Sequence, residues 1–169
     1  MKLAITEVKT QAKKLLKTLK LDDNFWLNQR KLVIKFGPKS KSDIKLKHCL
    51  NMIAFQLGFE NWHHAHYILS GQEQLIAESD FGTLFYNNAC GTFLNLWFSD
   101  YDEAKEVLAS DVRHFALLPY KNQFIVVEKN FIDALNINKK ALHLLSEINY
   151  DLCAGYNTSH WDGLAYEVI

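Results

Sequence analysis

The chain has 169 residues, of which 49% are hydrophobic, 13% aromatic and 22% charged, and its formal net charge is zero. This composition is typical of a folded globular protein and excludes a disordered or low-complexity chain. No apolar run reaches the roughly 18–20 residues that a membrane-spanning helix needs, and lysines interrupt the N-terminal apolar positions, unlike in a signal peptide. Three widely spaced cysteines without a CxxC pair predict reduced thiols in a cytoplasmic protein.

The zero net charge hides a division along the chain. Residues 1–50 hold thirteen lysines and arginines against four aspartates and glutamates, a net charge of +9, whereas residues 51–169 have a net charge of −9. Such asymmetry indicates an anionic partner for the basic third. Nucleic acid is one such partner and an acidic protein is another. The acidic remainder of the same chain, or of a second copy in a homodimer, would serve equally well.

The spacing of apolar residues predicts a helix over 4–20, with lysines recurring on the face opposite the apolar one. A lysine face is what many core-packed helices present to water, and it is also suited to contact phosphate groups. Both interpretations stay open. On the second, the nucleic-acid-binding residues of this helix and of the basic segment 39–47 are Lys9, Lys13, Lys17, Lys20, Lys39, Lys41, Lys45 and Lys47.

Residues 22–36 are ambiguous. Their apolar positions fit a helix that begins at an aspartate cap and stops at Gly37-Pro38. The run Lys31–Phe36 also fits a short strand. We prefer the helix.

Two further helices are predicted on either side of a glycine turn. Ser42 is the predicted cap of a helix that ends at Gly58, and Asn61 is the predicted cap of a second helix over Trp62–Leu69. The glycine turn between them gives the spacing of a helix-turn-helix pair. We therefore predict a basic helical domain over residues 1–71.

Part of this domain resembles a known bacterial module. The residues that carry the likeness are Leu46, His48, Leu50, Ile53, Ala54, Leu57, Gly58, Phe59 and Trp62. With the lysine-rich helix before them, they are similar to a short N-terminal helical module that is described as glyoxalase-related, because it accompanies such domains in some proteins. The resemblance covers roughly residues 4–70, with an unusually long insert around 21–43. It implies a helical fold and no particular activity.

The composition changes after residues 72–79, which predict a short helical continuation. Aromatic, β-rich segments at Phe81–Tyr86 and Thr92–Phe98 predict a hairpin. Two more strands are predicted at His114–Pro119 and Gln123–Glu128.

The remaining elements are predicted to be helical. One helix through Ser110 lies between the two pairs of strands, and Asn130 and Asn138 are the predicted caps of two short helices. Residues 150–169 have no clear period and predict an extended tail. The order ββαββαα makes residues 80–169 a small domain with an antiparallel or mixed sheet, so the predicted fold class is α+β.

A second resemblance lies within this domain. The segment from Leu94 to Val127 is similar to a bacterial domain of unknown function with the pattern WF-x-x-Y-x-E-A followed by LPY-x-x-QF. The residues that carry the likeness are Trp97, Phe98, Tyr101, Glu103, Ala104, Leu118, Pro119, Tyr120, Gln123 and Phe124. This resemblance implies no activity.

No residue pattern in the chain is a strong catalytic motif. His63 and His66 lie three residues apart and are the best candidates for metal ligands, but a metal site needs three or four converging donors. We therefore predict no metal and no other cofactor. Cys90 and His160 would form a nucleophilic dyad only if the fold brought them together. Glycine-rich phosphate loops are absent from the sequence.

These observations predict a non-catalytic binding or regulatory protein whose basic helical domain contacts nucleic acid or an acidic protein partner. Two alternatives stay open. One is a small glyoxalase-like metalloenzyme, in which a β-α-β-β stretch with His114 and Glu128 would need a second copy to complete a site. The other is a structural homodimer in which the basic third of one chain docks on the acidic remainder of the other.

Overall fold

The structure of the chain is a computed structural model that describes residues 2–71 and 79–169. Within these ranges it contains eight α-helices and one three-stranded antiparallel sheet, so the predicted α+β class with a helical N-terminal region is confirmed. The elements are α1 (Leu3–Leu21), α2 (Asp23–Lys35), α3 (Leu46–Gln56), α4 (Trp62–Ser70), β1 (Leu96–Phe98), α5 (Tyr101–Ser110), β2 (Phe115–Tyr120), β3 (Gln123–Glu128), α6 (Lys129–Ala134), α7 (Lys139–Glu147) and α8 (Ser159–Val168).

The N-terminal helices pack around α1. Its predicted apolar face is buried, including Val8, Ala12 and Leu19, and it contacts α2, α3, α4 and α8. The preferred helix over the ambiguous segment is confirmed as α2, since the Asp22 side chain accepts a hydrogen bond from the Phe25 amide at 2.9 Å. This local cap stabilises the helical start, and the strand alternative is wrong.

The start of α3 differs from the prediction. Ser40, and not Ser42, caps a short 3₁₀ turn over Lys41–Asp43, and α3 begins later at Leu46. The Ser40 backbone N–H donates to the Asp43 carboxylate, so the polar residues that indicated a helix start serve a separate turn. The predicted Asn61 cap of α4 is confirmed, because its side chain accepts a hydrogen bond from the His64 amide at 3.0 Å.

The glycine turn between α3 and α4 also contacts the segment around Gly82 and Thr83. Gly58 has a φ of +89°, and a Cβ at this position would lie 2.0 Å from Thr83 Oγ1. The Thr83 amide donates to the Gly58 carbonyl at 3.0 Å. Gly82 approaches the same carbonyl, since its Cβ would lie 2.6 Å from that oxygen. Two glycines therefore allow two backbones to touch.

This contact explains why the predicted strand over 81–86 is wrong. The segment forms turns around Gly82 and packs against the α3–α4 turn instead of pairing with a strand. Phe81 and Phe85 are buried, with ring centroids 5.7 and 5.3 Å from that of Trp161. The aromatic residues that indicated a strand are core residues of an irregular segment.

The sheet has the strand order β1-β3-β2. The predicted strands over 114–119 and 123–128 are confirmed as β2 and β3, in which Leu117 pairs with Val126. The predicted strand over 92–98 shortens to the three residues of β1, because Asn88–Thr92 forms a 3₁₀ helix. The outer edge of β2 receives an isolated parallel bridge between Leu117 and Asp151.

The sheet separates two hydrophobic clusters. Helix α5 covers one face with Ala104 and Leu108, which pack near Phe124 and Val126. The other face belongs to a larger cluster that also contains buried residues of α1, α3, α4, α6, α7 and α8. This cluster includes residues of both predicted domains. The proposed division at 72–79 stays a prediction, because the helical continuation predicted there falls largely on residues 72–78, which lie outside the described ranges.

The predicted extended tail over 150–169 is wrong. Residues Ser159–Val168 of this segment form α8, whose buried positions include Trp161, Leu164 and Ala165. These positions have the period of a helix, and burial of this face outweighs the low helix propensity of Gly163. Trp161 is completely buried and lies at the centre of the aromatic cluster.

Helix α8 also caps α1 from the far end of the chain. The Asp162 carboxylate, only 7% exposed, accepts hydrogen bonds from the Leu3 amide at 2.8 Å and the Ala4 amide at 3.1 Å. The first amides of a helix lack intrahelical partners, and the helix dipole favours a negative charge there. In addition, the Gln11 side chain donates to the Ile169 carbonyl at 2.9 Å. The two terminal helices are therefore joined directly.

We expect Asp162→Asn to lower the free energy of unfolding by about 1–2 kcal/mol, since its amide nitrogen cannot accept the second hydrogen bond. Urea denaturation followed by circular dichroism measures this change. The matched control is Asp133→Asn on α6, an exposed position where we expect less than about 0.5 kcal/mol. Equal effects of the two substitutions would contradict the capping role.

We expect Gly58→Ala to destabilise the protein by about 2–3 kcal/mol, because a residue with a side chain is strained at this positive φ and its Cβ would overlap Thr83. The control is Gly91→Ala, where the nearest atom to a new Cβ is Tyr86 Oη at 3.9 Å. Thermal unfolding of both variants checks this prediction. A melting temperature of Gly58→Ala equal to that of Gly91→Ala would show that the turn tolerates a side chain.

Candidate nucleic-acid interface

Seven of the eight predicted phosphate-binding lysines are exposed. Helix α1 presents four of them on the side away from its buried face, and Lys39, Lys45 and Lys47 lie between α2 and the first turn of α3. The exception is Lys41, which is half-buried and forms an ion pair with Asp23 of α2. The structure thus keeps most of the predicted basic surface accessible and uses one lysine internally.

The exposed lysines have no acidic partner within the described ranges. The ion pair of Lys41 stays inside the basic third, and no other ion pair among residues 2–71 and 79–169 involves a lysine. In this part of the chain, the lysines of the basic third form no ion pair with the acidic remainder. Seven unpaired lysines give the surface a strongly positive potential.

In the helix-turn-helix-like pair of α3 and α4, the second helix contributes to packing and adds no lysine or arginine to the basic surface. Helix α4 contains no lysine or arginine. Its first residue, Trp62, donates its amide hydrogen to Asn51 Oδ1 at 2.9 Å and places its ring 6.0 Å from Lys9 Nζ. The His66 ring packs edge-on against Trp62, with centroids 5.2 Å apart. This helix therefore supports α1 and lacks the basic side chains that read base edges most often.

The two candidate metal ligands have different surroundings. His66 packs against Trp62, whereas His63 is exposed and lines a cavity of about 330 Å³ with His64 and Asp80. His64 Nδ1 accepts the Glu60 amide hydrogen at 3.2 Å, so the ring proton lies on Nε2 and is donated to the Asp80 carbonyl at 2.6 Å. Residues 2–71 and 79–169 contain no group of three or more His, Cys, Asp or Glu side chains that could hold a metal ion.

The residues of the metalloenzyme alternative do meet at one cavity. His114 and Glu128 line a cavity of about 500 Å³ where β2 begins and β3 ends. His114 Nδ1 lies 2.5 Å from Asp111 Oδ2, and this hydrogen bond lowers the pKa of the Asp111 carboxyl. Lys129, on the same wall, adds a positive charge. The only polar contact of the His114 side chain among the described residues is this hydrogen bond to a carboxylate three residues away.

Cys90 and His160, for whose pairing the sequence offers no evidence, have separate partners. Cys90 is buried and its thiol donates weakly to Asn87 Oδ1 at 3.4 Å. His160 instead lies 3.2 Å from the Glu147 carboxylate. Burial raises the pKa of the Cys90 thiol and raises that of Cys49 to about 11. A buried thiol with a raised pKa is a poor nucleophile at neutral pH.

The structure also shows a cluster that sequence reasoning missed. Lys35, Phe36 and Phe55, here called the Phe55 platform, meet where the end of α2 lies against α3. Lys35 Nζ is 3.4 Å from the centroid of the Phe55 ring, and the two phenylalanine centroids are 5.8 Å apart in an edge-on arrangement. Phe55 is 41% exposed despite its size. The pair Lys35-Phe36 is visible in the sequence, but only the packing of α2 on α3 adds Phe55.

A polar cleft of about 400 Å³ adjoins the platform. Phe55, Gln56 and Gly58 line it from α3 and the following turn, and Asn87 and Asn88 line it from the opposite segment. The Asn87 side chain already forms hydrogen bonds, because its oxygen accepts the Ala89 amide hydrogen at 2.8 Å and its nitrogen donates to the Ala134 carbonyl at 2.9 Å.

The other two amides of the cleft remain available. The exposed side chains of Gln56 and Asn88 make no hydrogen bond within the described residues. Each offers two donors and one acceptor oxygen. The cleft thus combines an aromatic wall with unengaged donors and acceptors.

Comparisons with protein-family models, with curated proteins and with solved structures find no match. Both resemblances seen in the sequence therefore stay predictions. No helix among the described residues is long and apolar enough to cross a membrane.

We expect none of the three thiols to react within minutes with a chromogenic disulfide reagent at pH 8, because Cys49, Cys90 and Cys153 are all buried. All three should react after unfolding in guanidinium chloride. Absorbance counts the released thiolate in both states. A fast stoichiometric reaction of the native protein would show that at least one thiol is accessible.

Proposed function

We propose that the protein is a non-catalytic, cytoplasmic binding or regulatory protein whose basic helical region contacts nucleic acid. The observation that carries this proposal is the row of exposed lysines on α1 and in residues 39–47 that have no acidic partner in the described chain. Burying such charges against phosphate releases condensed counterions, which favours binding.

The dimensions of α1 suit this contact. Lys9 and Lys20 are eleven residues apart on one helix, which corresponds to about 16 Å along its axis. That length equals the rise of about five base pairs of a duplex. Side chains at Lys13 and Lys17 fill the interval on neighbouring turns. One helix can therefore follow several consecutive phosphates.

The proposed contact is to the backbone and not to a base sequence. Lysine contacts to phosphate fix the position of a protein on nucleic acid but carry no sequence information. Helix α4, which occupies the position of a recognition helix, has no lysine or arginine. We therefore propose sequence-independent binding with strong salt dependence for α1 and segment 39–47.

An acidic protein is the alternative partner, since it would present carboxylates to the same lysines. A carboxylate surface lacks the dense, regular charge of a nucleic acid, so its complex should be weaker at equal concentration of negative charge. Competition between polyglutamate and a duplex for the full chain distinguishes the two partners. Displacement of the duplex by polyglutamate at equal charge would favour the acidic protein.

We expect the full chain to bind a fluorescein-labelled 20-base-pair duplex of arbitrary sequence, with affinity falling steeply between 50 and 200 mM salt. Lys13→Gln/Lys17→Gln should weaken binding several-fold and reduce the slope of log affinity against log salt by about two. Fluorescence anisotropy measures both quantities.

The matched control for this experiment is Lys139→Gln/Lys140→Gln, which removes two exposed lysines from the first turn of α7. It makes the same change in net charge outside the proposed interface, so its salt slope should stay at the wild-type value. The proposal fails if the wild-type chain does not bind at 50 mM salt. It also fails if the two double variants lose affinity equally.

A further inference from the structure

Phe55 stays 41% exposed, although Phe36 packs edge-on against its ring. The ring lies at the last turn of α3, with Lys35 on it and with Arg30, Lys31 and Lys39 exposed on or just after α2. Water is a poor solvent for an aromatic ring, and covering its exposed fraction would be favourable. A ligand that covers Phe55 must therefore be compatible with the positive charges of these lysine and arginine side chains.

The cleft beside Phe55 adds a second requirement. Its volume of about 400 Å³ lies within the range of small-ligand sites. Gln56 and Asn88 line the cleft and offer amide donors and acceptors, and neither side chain forms a hydrogen bond within the described residues. Amide side chains pair with groups that carry an adjacent donor and acceptor, as the edges of nucleobases do. The ligand should therefore be flat, aromatic and polar at its edge.

We infer that the cleft binds an unpaired base of single-stranded nucleic acid, stacked on Phe55, with its edge at Gln56 and Asn88 and a neighbouring phosphate at Lys35. Aromatic platforms within a basic surface are how many proteins hold single strands. Bases of a duplex are stacked inside the helix and cannot enter such a cleft. This inference rests on the proposed function, because the lysines supply the phosphate contacts, and it names the preferred form of nucleic acid.

Fluorescence anisotropy with the full chain tests the inference. The probes are labelled 12-nucleotide oligothymidylate, oligouridylate of the same length, and a 12-base-pair duplex, all at 50 mM salt. We expect at least one single strand to bind more tightly than the duplex. Phe55→Ala should weaken single-strand binding by about fivefold to a hundredfold, the range for one stacked base. Its effect on duplex binding should stay below about twofold.

Two further variants make the result specific. Leu27→Ala removes an apolar side chain that is 61% exposed on α2 of the same basic region, and it should change neither affinity. Phe55→Trp keeps an aromatic face and should retain single-strand binding. If Phe55→Ala unfolds, the comparison of Phe55→Trp with Phe55→Leu replaces it, because leucine preserves apolar bulk without a stacking face.

The outcomes separate this inference from the proposed function. Unchanged single-strand binding by Phe55→Ala, with the lysine variant still impaired, overturns the base site and leaves the lysine interface standing. Equal losses for single strand and duplex overturn the base site as well. Absence of binding to all three probes overturns both proposals.

Discussion

The carboxylate of Asp162 and the first amides of α1 form the contact on which the arrangement of the helical region depends. The carboxylate lies on α8, next to Trp161, whose ring is completely buried against Phe81, Phe85 and Tyr156. A helix cap that comes from the core of the molecule fixes both the position and the direction of α1. With its apolar face held in this way, α1 must present its lysines outward, which gives the chain its basic surface.

Sequence patterns correctly predicted those helices and strands whose caps and turns lie within or next to their own residues. Asp22 caps helix α2, which ends before Gly37, and β2 and β3 are adjacent strands joined by a tight turn. The wrong predictions of secondary structure have a different cause. The aromatic residues of segment 81–86 predict a strand because such residues are common in strands. They are buried instead by α8 and by the α3–α4 turn, which no local pattern reveals.

The candidate site divides in the same way. The lysine surface was predictable because charge and helical period can be read from one segment. Among the eight predicted lysines, only Lys41 forms an ion pair within the described ranges, with an aspartate eighteen residues away in the sequence. The Phe55 platform and its cleft join α2, α3 and the segment that contains Asn88, so their geometry exists only after those three parts pack. A phenylalanine at the end of an amphipathic helix is an ordinary core residue by pattern, and only its exposure in the fold distinguishes it.

The two parts of the proposed interface would contribute different kinds of binding energy. Lysine contacts to phosphate depend on counterion release and weaken as salt increases, whereas stacking on Phe55 depends on contact area and changes little with salt. The acidic helix α5 lies on the opposite face of the sheet from the cluster that contains α1, so its carboxylates do not compete for the lysines. This separation of charge would orient an approaching polyanion toward α1 before the cleft engages a base. Long-range steering by the lysines and short-range selection by the cleft are thus complementary, because each acts at a distance where the other is weak.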